Sequence, residues 1–286
     1  MKRKINLKLG SKKIVMGVLN VTPDSFSDGG LYNNIDKALR RTETMLAEGA
    51  EIIDIGGEST RPGSSAISEK EELERILPVI KSMRKSFGNN FLISIDTNKA
   101  NVARQALEEG ASLVNSLGGF QFDPNMTQVV KEYGCPIIIY HIRGKPKKMQ
   151  IGEIKYKDVI KDILSFFEKQ IKLGISKGLA KEQFLLDPGI GFGKTVEQNL
   201  VILKNLSKFL VLDCPIVIGV SRKSHLGTIL KEALELADVP SPADRLEASL
   251  AETAIAVLNG AKIVRTHDVL QTKKFLTVID RIKGLS

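Results

Sequence analysis

The sequence contains no tryptophan, two cysteines and three histidines, and no apolar run near the roughly 20 residues that a membrane-crossing helix needs. Each shortage removes a class of function. Aromatic residues are 5% of the chain, which leaves little for nucleic-acid bases to stack on, although a formal charge of +9 would by itself suit an anionic partner. The lysines are scattered over helix-period segments and cluster only at residues 1–4 and 145–148. The charge therefore reads mainly as solvated faces, with an anionic small ligand second, and neither nucleic acid nor membrane is expected as a partner. Cys135 and Cys214 lack metal-ligand spacing, and a lone pair builds no disulfide framework, so reduced thiols in a cytoplasmic enzyme are expected. The basic start is followed by an apolar segment too short and too soon interrupted for a signal peptide.

What is present is a repeated grammar. Ile14-Val-Met-Gly-Val-Leu-Asn20 is an apolar run that stops on a polar residue and passes into a loop of Ser, Asp, Pro and Gly. Seven further short apolar runs follow, at 52–55, 91–95, 113–115, 136–140, 184–186, 216–220 and 263–264. Helix-period segments separate them, at 35–48, 69–87, 99–109, 124–133, 155–173, 196–209, 245–259 and 269–282. Ser68-Glu-Lys-Glu71 fits a capping box, and Asp123-Pro124 puts a capping carboxylate before a proline. Three joints share one plan, Gly49-Ala50, Gly110-Ala111 and Gly260-Ala261, with glycine in the left-handed position that ends a helix. Eight β–α units in 286 residues predict an α/β chain folded as one (β/α)8 TIM barrel, a single domain over 1–286. An open doubly wound sheet is the alternative. Residues 228–244 are expected to be an irregular insertion.

A barrel gathers the C-terminal ends of its strands at one mouth. Those ends carry Asn20, Glu58-Ser-Thr60-Arg61, Asp96, Asn115, His141, Asp187, Ser221-Arg-Lys223 and Arg265-Thr266-His267. Two buried carboxylates, an Asn and a Lys suit a flat heterocycle rich in N–H and carbonyl groups, because a carboxylate accepts two parallel hydrogen bonds from a 2-aminopyrimidinone edge. Arg61, Arg265 and His267 read as loop residues able to hold a phosphate-like anion. Singly, each has a plainer reading: Asp54 and Glu58 pair with neighbours or solvate, Asp96 and Asp187 cap turns, His141 and His225 pack, and Lys223 lies on the surface. Only their coincidence at strand ends favours a site. Gly189-Ile-Gly-Phe-Gly-Lys194 fails both the P-loop and the dinucleotide pattern, since Pro188 and Lys194 stand where glycines are required; it reads as a flexible loop that lets backbone approach a ligand. A hard cation held by an oxygen such as that of Asn20, together with substrate phosphates, stays open.

Asn20-Val-Thr-Pro-Asp-Ser-Phe-Ser-Asp-Gly-Gly30 and Gly56-Gly-Glu-Ser-Thr-Arg-Pro-Gly63 resemble the two signature loops of the dihydropteroate synthases. The later Ile95-Asp-Thr97, Leu186-Asp-Pro-Gly189, Ser221-Arg-Lys-Ser224 and Arg265-Thr-His-Asp268 fit the same family in order. The resemblance implies a (β/α)8 barrel, usually a homodimer, that joins 4-aminobenzoate to 6-hydroxymethyl-7,8-dihydropterin diphosphate with Mg2+. It implies catalytic roles for Asp96, Asp187 and Lys223. Asp96, Asn115, Asp187 and Lys223 would hold the pterin, with Thr60, Arg265, Thr266 and His267 on the pterin diphosphate and Asn20 at the metal. Thr60, Arg61, Pro62, Phe192, Ser221 and Lys223 would shape the aminobenzoate site. Ser116, Tyr140 and Arg143 depart from residues common in the family and touch the pterin wall and the fifth loop. Three other readings stand beside it: a pterin-binding methyltransferase, a Schiff-base aldolase using Lys223, and a basic nucleic-acid-binding protein.

Overall fold

The structure is a computed structural model and describes residues 12–22, 31–59 and 66–284. Eight strands, β1 (Ile14–Asn20), β2 (Ile52–Gly56), β3 (Leu92–Asp96), β4 (Leu113–Leu117), β5 (Ile137–Tyr140), β6 (Phe184–Asp187), β7 (Ile216–Ile218) and β8 (Ala261–Thr266), form a closed parallel barrel in sequence order. Pairing of Ile14 with Ile263 and of Met16 with Arg265 closes the ring, which excludes the open doubly wound sheet. The helices are α1 (Leu31–Ala47), α2 (Glu69–Phe87), α3 (Ala100–Glu108), α4 (Met126–Tyr133), α5 (Val159–Ser176), α6 (Val196–Lys204), α7 (Ser224–Ala233), α8 (Leu246–Leu258) and α9 (Val269–Lys283). The three Gly-Ala joints have glycine φ values of 99°, 111° and 106°, a region that a side chain would strain.

Three local expectations change. The expected insertion at 228–244 begins as helix, because α7 runs to Ala233 and buries His225 and Leu226. The segment 196–209 is not one helix: after α6, Asn205 donates its side chain to Val201 O at 2.8 Å, and a 3-10 stretch, Leu206–Leu212, follows. Asp123 caps a different helix from the one expected. Its Oδ2 accepts from Ala100 N at 2.8 Å, at the start of α3, and its Oδ1 accepts from Asn125 N at 3.0 Å in a local turn. Ser68 does cap α2, accepting from Glu71 N at 3.2 Å.

Successive residues of a strand face opposite sides of the sheet. One face of each strand packs against the helices in a core that includes Val15, Ile53, Ile93, Val114, Ile139, Leu186 and Val264. On the inner face, Met16, Ile52, Leu113, Ile138, Leu185, Val217 and Ile263 form a separate apolar layer that plugs the barrel. Two residues further along each strand, the inner face reaches the mouth.

Candidate active site

Counting by two from the apolar plug builds the site. Ile52 leads to Asp54, Leu113 to Asn115, Ile138 to Tyr140, Leu185 to Asp187 and Ile263 to Arg265. Arg265 therefore lies on a strand, not on a loop. Its side chain crosses the mouth, where Nε donates to Asp54 Oδ2 at 2.7 Å and Nη2 donates to Asp96 Oδ2 at 3.1 Å. Asn115 Nδ2 donates to the same Asp54 oxygen at 3.2 Å. Asp54 does pair with a neighbour, as its residue type allowed, but that neighbour is 211 positions away and the pair sits in the middle of the site. Asp54 Oδ1, Ser94 Oγ and Asn115 Oδ1 are buried and have no hydrogen-bond partner among the described residues. Buried polar atoms are normally satisfied, so three orphans in one barrel mouth mark a place where a polar ligand completes the bonding.

The charges here are held away from water. Burial and the neighbouring Asp54 charge push Asp96 up to about 7, against the opposing pull of Arg265 and Lys223. Burial pushes Asp187 up to about 6, opposed by the Gly189 N–H that donates to its Oδ1 at 2.8 Å. Burial and the Arg265 charge pull Lys223 down to about 7, while Asp187 and Asp96 pull it back. Burial also works against the charge of Arg265, but Asp54 and Asp96 more than offset it. The result is a compact set of opposite charges whose protonation a ligand can shift.

Around this centre, the Phe192 ring lies 4.6 Å from Tyr140 in an edge-on arrangement, with Lys223 Nζ 4.1 Å from its centroid. Tyr140 thus belongs to the wall of the site. Lys223 N-caps α7 and follows Arg222, whose φ of 60° is unusual for a side-chain-bearing residue. That turn is held from three sides: Ser249 Oγ accepts from Arg222 N, Arg245 donates to the carbonyls of Arg222 and Lys223, and Arg222 forms an ion pair with Asp268. Ser221 Oγ is 3.2 Å from His267 Nδ1 and also accepts from His267 N. Burial, with the Arg265 and Arg222 charges, pulls His267 down to about 3, so it offers a neutral imidazole rather than the cation expected for an anion site.

Not every expected residue converges. Thr266 faces the helical layer, where its Oγ1 accepts from Asp268 N and lies 3.1 Å from Thr272 Oγ1. Alternation places it opposite to Arg265. Thr60, Arg61, Pro62 and Gly63, like residues 23–30 of the first signature loop, lie outside the described residues. Glu58 does pair with a neighbour, Lys99, which also bonds the buried Glu72. Sequence reading passes over Asp54, Arg245 and Ser249 as parts of the site, and reaches Tyr140 only through the family resemblance. Asp54 and Tyr140 are both reachable by counting in twos, from Ile52 and Ile138. Arg245 and Ser249 sit on or beside α8 and act on another element's backbone, for which a single sequence has no local mark. The glycine-rich loop after β6 is not free. Gly189 leaves no room for a Cβ, which would fall 1.9 Å from His141 O, and Asn199, Gln150 and Tyr156 bond the loop's backbone.

A divalent cation fits this donor set in part. Among the described residues no three His, Cys, Asp or Glu side chains converge on one point. Asn20, at the end of β1, and Asp96 nevertheless each bring an oxygen, Oδ1 and Oδ2, to 3.9 Å from where a Cβ on Gly56 would lie. A hard ion would find protein oxygen there and needs further oxygens from a phosphorylated ligand, as is common for Mg2+.

Residues 16–267 match the family described as pterin binding enzyme. The dihydropteroate synthase of Synechocystis is 45% identical over 273 residues, covering 96% of this chain and 91% of its own length. The Yersinia pestis dihydropteroate synthase, solved with a sulfonamide drug complex, superimposes with a TM-score of 0.89 at 40% identity over 99% of this chain and 98% of that one. The Clostridium difficile dihydropteroate synthase, solved in the presence of pteroic acid, gives 0.88 at 41% identity over 96% and 98%. With that likeness running through every strand of the barrel, the chain belongs to the dihydropteroate synthase family of pterin-binding enzymes.

Proposed function

We propose that this enzyme condenses 6-hydroxymethyl-7,8-dihydropterin diphosphate with 4-aminobenzoate, giving 7,8-dihydropteroate and diphosphate. The observation that carries the assignment of residues is the cluster of buried Asp54, Ser94, Asn115 and Asp187 with half-buried Asp96 and Arg265, with three orphan oxygens facing the mouth. A pterin presents N–H donors along one edge, and Asp96, Asn115 and Asp187 accept them while the plug below keeps water out. Lys223 closes the ring's polar side. Arg265 fixes Asp54 and Asp96 and, with His267, faces the diphosphate end.

The bond between the pterin methylene carbon and the diphosphate oxygen breaks first, and diphosphate leaves with the electron pair. The positive charge left on carbon is shared by the electron-rich dihydropterin and is favoured by the buried carboxylates. The neutral arylamine nitrogen of 4-aminobenzoate forms the new C–N bond and then loses a proton, so no strong base is required. Mg2+, when bound by Asn20 and the diphosphate, supplies charge neutralisation for the leaving group. Phe192, Lys223 and Ser221, with Thr60, Arg61 and Pro62, hold the aminobenzoate.

Mixing the purified protein with both substrates and Mg2+ and detecting dihydropteroate by mass spectrometry tests the reaction. A sulfonamide keeps the arylamine and replaces the carboxylate with a sulfonyl group of similar size, so sulfamethoxazole is expected to inhibit competitively. Inhibition that rising 4-aminobenzoate does not relieve would overturn the shared site.

Three further points belong to this reading. One domain spans 1–286. The enzyme works in the cytoplasm, which the buried, unpaired Cys135 and Cys214 favour and cell fractionation tests. It is a homodimer through the face that exposes Leu200, Val201, Leu210, Val211, Ile255 and Leu258. Sedimentation should give twice the chain mass, and Val211→Glu with Leu258→Glu should give a monomer; a wild-type monomer removes the proposal.

A further inference from the structure

Lys194 is 3% exposed and plays no part in the steps above. Its ammonium nitrogen lies 2.8 Å from Gly189 O, 3.1 Å from Phe192 O and 3.0 Å from His141 Nδ1. An ammonium has three donors, and all three are used. None of the acceptors is a carboxylate. Burial accordingly pulls its pKa down to about 7, with only the more distant Asp187 acting against that. A buried charge without a direct counter-ion costs stability, so a bracket of this kind is unfavourable unless it serves the site.

The acceptors show what is being held. Gly189 and Phe192 begin and end one turn, already closed by Phe192 N donating to Gly189 O at 3.1 Å. The third acceptor, His141, follows β5, the strand that carries Tyr140. Lys194 therefore joins the loop after β6 to the end of β5 at the point where the Phe192 ring meets Tyr140. Asp187, by contrast, is placed by its own strand and by the Gly189 N–H.

We propose that Lys194 is a positioning residue for the 4-aminobenzoate subsite: by gathering the carbonyls of Gly189 and Phe192 against His141, it sets the Phe192 ring beneath Lys223. It touches no substrate. The inference rests on the proposed function, since it takes Phe192 as a wall of that subsite.

Steady-state kinetics on the full chain with both substrates and Mg2+ tests it. Wild-type production of dihydropteroate tests the proposed function alone, and its absence would refute that reading rather than the geometry of Lys194. Given an active wild type, Lys194→Met is expected to raise KM for 4-aminobenzoate about tenfold or more, with kcat and KM for the dihydropterin diphosphate within about threefold. Lys194→Gln keeps donors for the two carbonyls and should recover part of the loss. A bracket serving stability alone would lower Tm while leaving both KM values unchanged or moving them in parallel, and that result overturns the proposal. Either variant can be read alone if the other does not fold. Failure of both to fold assigns Lys194 to stability and overturns it too.

Discussion

Replacing Arg265 with methionine is expected to destabilise the protein by about 3–5 kcal/mol, the usual cost of removing one partner from a buried ion pair. Arg265 is the cation shared by Asp54, whose side chain is fully buried, and by Asp96, one-tenth exposed. Methionine matches the length of the aliphatic stem, so packing changes little, and the cost comes from two carboxylates left without their shared cation. Native proteins are stable by only about 5–15 kcal/mol, so the variant sits near the limit of folding. Asp54→Asn in the same chain removes one of those charges and should restore a large part of the loss. Urea unfolding of the single and double variants measures both quantities. A loss below about 1 kcal/mol for Arg265→Met, as for an exposed pair, would show that the charges are solvated after all.

Asp187→Asn and Asp96→Asn should have the opposite profile, with activity lost and fold kept. A charge-assisted hydrogen bond to a ligand contributes roughly 1.5–3 kcal/mol, so each substitution should lower kcat/KM by about tenfold or more. Asparagine also turns an NH2 toward the donors of the pterin edge. Stability should hold because folding already disfavours the charged form of both residues: burial raises Asp187 to about 6 and Asp96 to about 7. Above those values the folded state carries a penalty that a neutral amide removes. In the Asp187→Asn variant the amide oxygen can still accept from Gly189 N, the bond that Asp187 makes at 2.8 Å. Kinetics and thermal melts of both variants decide the matter, and near-wild-type turnover in both would refute the pterin assignment.

The barrel is legible in the sequence because its signals are local. Each apolar run reads as a strand, each Gly-Ala joint as a helix end, and the eightfold alternation limits the closed forms available. The positions of Asp96, Asn115 and Asp187 are legible for the same reason, as polar residues terminating apolar runs. Local signals also mislead. Arg265 reads as a loop residue because a charged residue seldom lies on a buried strand, and the facing Asp54 and Asp96, 211 and 169 positions earlier, make that placement tolerable. Thr266 groups with Arg265 by sequence adjacency, whereas the pleat sends neighbours to opposite faces. Lys194 reads as a failed glycine, and its three acceptors come from the turn before it and from the end of a strand 53 positions upstream. The sequence by itself determined the eight strands, their order and which residue types stand at the mouth, since backbone preference and hydrophobic period act within a few residues. The tertiary structure decided which charges pair, which hydroxyl turns away and which cation holds the Phe192 loop, because those depend on distances that exist only once the barrel has closed.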